Sequence, residues 1–140
     1  MAIQKDPSQA AKMPSLTNIE LINRLLAYYR AYPEDSFSAD CLFKVHIKYS
    51  DLQAYEQSVA YGDTLIQLFP NYANKDFLLE SLASTYDVLI EPRDAEKVKY
   101  YYELLLKEKI KASKRKDIEN RLKHIDMDFF EYSQFQMGAK

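Results

Sequence analysis

Apolar residues return along this chain at spacings of three and four, and short polar breaks or prolines interrupt them. The clearest stretch is 38–70. Over 39–50, Leu42, Val45, His46 and Tyr49 share one side of a 3.6-residue helix. Over 54–70, Tyr55, Ser58, Val59, Gly62, Leu65, Ile66 and Phe69 form the inward side of a second helix, which Pro70 ends. Asp51, Leu52 and Gln53 between them are only enough to reverse the chain, so the pair reads as a helical hairpin. Gly62 inside a helix costs about 1 kcal/mol against alanine; close approach of a neighbouring helix is the expected reason. Each helix carries more apolar residues than the other covers, so the hairpin needs like neighbours on both sides.

The rest of the chain supplies them. A first helix is expected from Thr17, where Thr17 and Glu20 have capping-box spacing, with Leu21, Ile22, Leu25, Leu26, Tyr28, Tyr29 and Tyr32 as a broad apolar face and Pro33 as its stop. Asn74 is placed to cap a helix carrying Leu78, Leu79, Leu82, Ala83, Tyr86, Leu89 and Ile90. Glu91 to Asp94 break it, and Asp94 caps the next, with Val98, Tyr101, Tyr102, Leu105 and Leu106 inward. Superposing the two second helices sets Tyr61 on Tyr101, forty residues on, while Pro33 and Pro70 lie 37 apart. That uneven period fits a helix-turn-helix repeat with loops of varying length. One more helix, over 114–132 with Ile118, Leu122, Ile125 and Phe129 inward, is expected as a charged terminal cap. Residues 1–14 and 136–140 are expected as flexible ends of one domain spanning 15–135.

Composition agrees with an all-α chain of about six helices. Two glycines leave little material for β-hairpin turns, and 47% hydrophobic with 29% charged residues is ordinary for a globular domain. The twelve tyrosines are accounted for by helix packing. A formal net charge of −2 gives no global field to recruit nucleic acid or an acidic membrane. Cys41 is the single cysteine, so an intrachain disulfide is excluded; that fits cytosol and periplasm alike. No apolar run reaches the length of a membrane span, and residues 1–14 have no signal-peptide core.

Catalytic and metal chemistry find little to build from, and no cofactor is expected. His46 lies on an apolar helix face and His124 on a polar one, with no second histidine or cysteine at ligand spacing. Cys41 and His46 are five apart and misaligned on one helix; Asp126 and Asp128 point to different sides. No glycine-rich loop is present to hold phosphate.

Tyr32-Pro33 and Phe69-Pro70 ahead of the units, Leu42-Phe43-Lys44, the Tyr49 and Tyr86 row, and the run from Ala95 to Leu105 resemble tetratricopeptide repeats. They resemble in particular the tyrosine-rich repeats of bacterial cell-envelope proteins common in Bacteroidetes, related to the outer-membrane assembly lipoprotein and to the coordinator of the Tol-Pal system. The resemblance spans about 15–125 and implies antiparallel hairpins stacked as a short right-handed solenoid. It also implies a non-catalytic adaptor or subunit of a larger assembly, bound to protein partners or to itself, in the envelope if an export signal was removed and otherwise in the cytoplasm. Gly62 stands where the family usually has an aromatic residue, and the carboxylate-clamp residues of its peptide binders are not seen.

Under that geometry the first helices line a groove. Asp40, Phe43, Lys44 and Ile47 would face it from one unit, and Phe77, Glu80, Ser84 and Asp87 from the next, with the three apolar side chains as partner anchors. The competing reading packs them against the first helix or the amino-terminal tail. A different class of function, nucleic-acid or acidic-surface binding, rests on Lys107, Lys109, Lys111, Lys114, Arg115 and Lys116. Against it, Asp117, Glu119, Asp126, Asp128 and Glu131 follow at once, so a solvated loop is expected there.

Overall fold

The computed structural model describes residues 14–138, so the ends 1–13 and 139–140 and the expectations placed on them lie outside the described residues. The described chain is all-α, with seven helices: α1 (Pro14–Ala31), α2 (Ser36–Asp51), α3 (Tyr55–Leu68), α4 (Lys75–Val88), α5 (Ala95–Leu106), α6 (Ala112–Lys123) and α7 (Phe129–Gly138). These residues gather in two compact units that divide between Leu65 and Ile66, inside α3.

In the first unit, α1 opens at Pro14, ahead of the expected Thr17. Proline suits the first turn, where a backbone N–H has no helical partner. Ile22 and Leu26 are buried, whereas Leu21 and Tyr32, expected on the same apolar face, are exposed. Asp35 fixes the turn into α2. One carboxylate oxygen caps α2 by accepting from the Phe37 N–H at 3.1 Å, and the other accepts from the Tyr28 hydroxyl. That bond, with Asp35's charge, pushes the Tyr28 phenol up to about 12. The Phe37 ring stands edge-on to Tyr28 with centroids 4.9 Å apart.

The core of α2 follows its 3.6-residue row. Cys41, Leu42, Val45 and His46 are buried, and burial pushes the Cys41 thiol above its ordinary value. The reversal places Gln53 at φ 60, and the Ala54 N–H closes it on the Tyr49 carbonyl at 2.9 Å. Reciprocal bonds tie α3 to α2. His46 Nδ1 donates to the Ser58 carbonyl at 2.7 Å, and the Ser58 hydroxyl donates to the His46 carbonyl at 2.8 Å. Both residues are fully buried, and the Ser58 hydroxyl also lies 3.0 Å from His46 Nδ1, so the contacts tie the two helices together.

Burial pushes His46 below its ordinary 6.5, with the Ser58 carbonyl and Asp63 opposing. The unfolded chain therefore takes up a proton that the folded one refuses. Stability is complete above pH 6.5 and falls as the pH drops below it. The urea midpoint is expected to fall between neutral pH and about pH 5, and more steeply than in His46→Asn. Equal slopes in the two proteins would contradict this account of the tie.

In the second unit, Leu78, Leu79, Leu82, Ala83 and Tyr86 of α4 pack on Val98, Tyr101 and Leu105 of α5, all buried. Asn74 occupies the expected cap of α4 but its side chain makes no cap bond. Asp94 caps α5, accepting from the Lys97 N–H at 3.1 Å. α4 stops at Val88, which leaves Leu89 exposed rather than in the expected row. The Tyr86 and Tyr101 rings stack 6.0 Å apart at 12°, and Tyr49 and Tyr61 stack 5.7 Å apart at 10° in the first unit. Each hairpin thus holds a tyrosine pair at the positions the repeat spacing aligns.

The expected single helix over 114–132 is two helices. Asp128 Oδ1 accepts from the Glu131 N–H at 2.7 Å, and Glu131 Oε1 accepts from the Asp128 N–H at 3.1 Å. This reciprocal cap starts α7 afresh. Ile118 stays buried, but Phe129, expected in the same stripe, is exposed. Residues 136–138, expected as a flexible end, complete α7. No described helix is long and apolar enough to cross a membrane.

Candidate interaction face between α4 and α6

Phe77, Glu80, Ser84 and Asp87 recur along α4 at helical spacing, and α6 lies beside this row. Lys114 Nζ is 2.7 Å from Glu80 Oε2, and Arg121 Nη2 is 2.7 Å from Asp87 Oδ1. Both pairs join residues 34 apart, in the same order along each helix. α4 and α6 therefore run parallel, as the first helices of successive hairpins do.

Two hollows open along the face. One, of about 380 Å³, has Phe77 and Ile110 among its walls with Lys109, Lys111 and Lys114; the other, of about 420 Å³, is bounded by Ser84, Tyr102 and Asp117 and reaches Tyr132 and Gln136 of α7. The Lys114–Glu80 bridge belongs to both. Phe77 is 57% exposed at the first. In the second, burial pushes the Tyr102 hydroxyl up, while its hydrogen bond with Ser84 opposes the shift. Phe77 and Glu80, read in the sequence as groove residues, thus share one hollow with Lys109, Lys111 and Lys114, read there as part of a competing basic patch.

Asp87 is a correction to the expected groove. It is 4% exposed and its carboxylate is held at two points by Arg121, Nε at 2.8 Å and Nη2 at 2.7 Å, and again by Arg93 Nε at 2.8 Å. Arg121 also donates to the His124 and Met127 carbonyls, both at 2.8 Å, and its guanidinium lies 4.7 Å from the centre of the Tyr132 ring. It closes the α6–α7 turn over α4. Nothing local in the sequence marks this arginine, because its partner is set only by the packing of α6 on α4.

The basic segment is also partly committed. Arg115 donates to the Leu106 and Glu108 carbonyls at 2.8 and 3.2 Å, satisfying the carboxyl end of α5, and Lys75 pairs with Glu108 at 3.2 Å. Lys107 caps α5 and Lys111 stands at the amino end of α6 without a side-chain cap bond. Lys109, Lys111 and Lys116 are exposed. In the first unit, Asp40 and Lys44 are exposed on α2, and Phe43 and Ile47 are half-buried. Among the described residues no group of three or more histidine, cysteine or acidic side chains is placed to hold a metal ion.

No family model, curated protein or solved structure matches this chain.

Proposed function

We propose that this chain is a non-catalytic protein-interaction module of the tetratricopeptide type, an adaptor or subunit that seats a partner on the α4–α6 face. The observation that carries the reading is the parallel α4–α6 pair, offset by 34 residues, which leaves Phe77 exposed on a hollowed surface. The stacked tyrosines in each hairpin support the tyrosine-rich repeats of cell-envelope proteins as the nearer likeness, and an envelope assembly as the setting. Nucleic-acid binding is the second reading. It is disfavoured because Lys114 and Arg115 are already engaged and carboxylates are interspersed with the lysines.

Cross-linked capture from the source organism tests the proposal, with wild-type protein beside Phe77→Ala and Phe43→Ala. Truncating an exposed aromatic anchor is expected to weaken a specific partner about tenfold or more. Specific proteins should be recovered and lost with Phe77→Ala, its folding unchanged. The same recovery with every variant, or recovery of nucleic acid alone, would contradict the reading.

A further inference from the structure

We infer that the hollow beside Phe77 takes an acidic peptide segment anchored by one large apolar side chain; this deepens the proposed function and rests on it. Its walls are apolar where Phe77, Leu105 and Ile110 meet. Leu105 is buried and Ile110 half-buried, while Phe77 keeps more than half its surface in solvent. An incoming aliphatic or aromatic side chain would cover that surface and gain the hydrophobic contribution that water now denies it.

The rim selects the charge. Lys114 is neutralised by Glu80, which leaves exposed Lys109 and Lys111 set against Asp76. Asp76 lies in the first turn of α4, where the helix end already favours its charge. The amino end of α6, uncapped by the Lys111 side chain, adds positive potential on the same side. The surplus is therefore positive and local, close to an apolar floor. An acidic segment with an apolar residue matches both features. A nucleic-acid backbone matches only the first, because it brings no aliphatic or aromatic side chain to the floor formed by Phe77, Leu105 and Ile110.

Selection of a random peptide library displayed on phage against the whole chain tests this. Enriched peptides are then synthesised with a fluorescent label and their affinity is read by polarisation at low and high salt. Acidic peptides carrying a large apolar residue are expected. Their affinity should fall about tenfold or more in Phe77→Ala, a few-fold in Lys109→Ala with Lys111→Ala, and with added salt. Lys116→Ala, on α6 but outside this hollow's walls, should leave it unchanged. Basic or uncharged winners, or acidic ones indifferent to Phe77, would overturn the inference while the interaction module stands. No enrichment at all would overturn both. Binding of a labelled single-stranded oligonucleotide that depends on Lys109 and Lys111, with no peptide enriched, would assign the surface to nucleic acid instead.

Discussion

Replacing Asp87 with alanine is expected to cost about 3–5 kcal/mol, because it leaves the buried Arg121 guanidinium and the largely buried Arg93 guanidinium without their shared carboxylate. The carboxylate is nearly inaccessible, and it accepts from both Arg121 and Arg93. Arg93 Nη2 is already buried without a hydrogen-bond partner among the described residues, so the loss of Asp87 would leave this guanidinium less well satisfied still. Arg121 would still hold the His124 and Met127 carbonyls, but its charge would be uncompensated. A companion variant separates charge from packing. Asp87→Leu with Arg121→Met removes both partners of the bidentate pair, and apolar replacement of a buried pair is often close to neutral. It should therefore be more stable than Asp87→Ala in urea unfolding. A loss under about 1 kcal/mol for Asp87→Ala, the size of an exposed ion pair, would show that water reaches this site.

Tyr101→Ala is expected to have the next largest effect, about 3–5 kcal/mol, the range for deleting a buried aromatic ring. Tyr101 is 1% exposed, stacks on Tyr86 and meets Tyr100 edge-on at 5.1 Å. Lys97 Nζ lies 5.8 Å from its centroid and 5.9 Å from that of Tyr86. Its counterpart Tyr61 stacks on Tyr49 in the same way, but both rings are half-buried. Tyr61→Ala should accordingly lose about 1–2 kcal/mol, little beyond the aromatic pair and a part of the buried area. The repeat sets the pairing, and the depth of each pair sets its cost. Equal losses at the two positions, measured from urea midpoints, would contradict that division.

The rows that the sequence made legible are those where one local period governs burial. Ser58, Val59, Gly62, Leu65 and Ile66 of α3 are buried as their spacing requires, and Asp94 caps α5 as its position requires. The aligned tyrosines were legible for the same reason. The break before α7 was not, because Ile118, Leu122, Ile125 and Phe129 continue a helical period through it. The signal was nonetheless present, in Asp128 and Glu131 at capping-box spacing. Pro14 is ambiguous locally, since a proline closes a tail as readily as it opens a helix.

Asp87 illustrates a different limit. Its helix position predicts the face it occupies but not what covers that face. Arg121, 34 residues on, covers it through tertiary packing. The same packing unites Phe77 and Glu80 with Lys109, Lys111 and Lys114, which one-dimensional reading divides between two rival functions. Local periodicity specifies the elements, and the offset between parallel helices specifies the surface.

The claim that a partner seats between α4 and α6 is tested most directly by amide chemical-shift mapping on the isotope-labelled chain, titrated with the strongest peptide from the selection. Shifts should concentrate at Phe77, Glu80, Ile110, Lys111 and Lys114. Shifts confined to Phe130 and Met137 of α7, or to Phe43 and Ile47 of α2, with this face unperturbed, would contradict it.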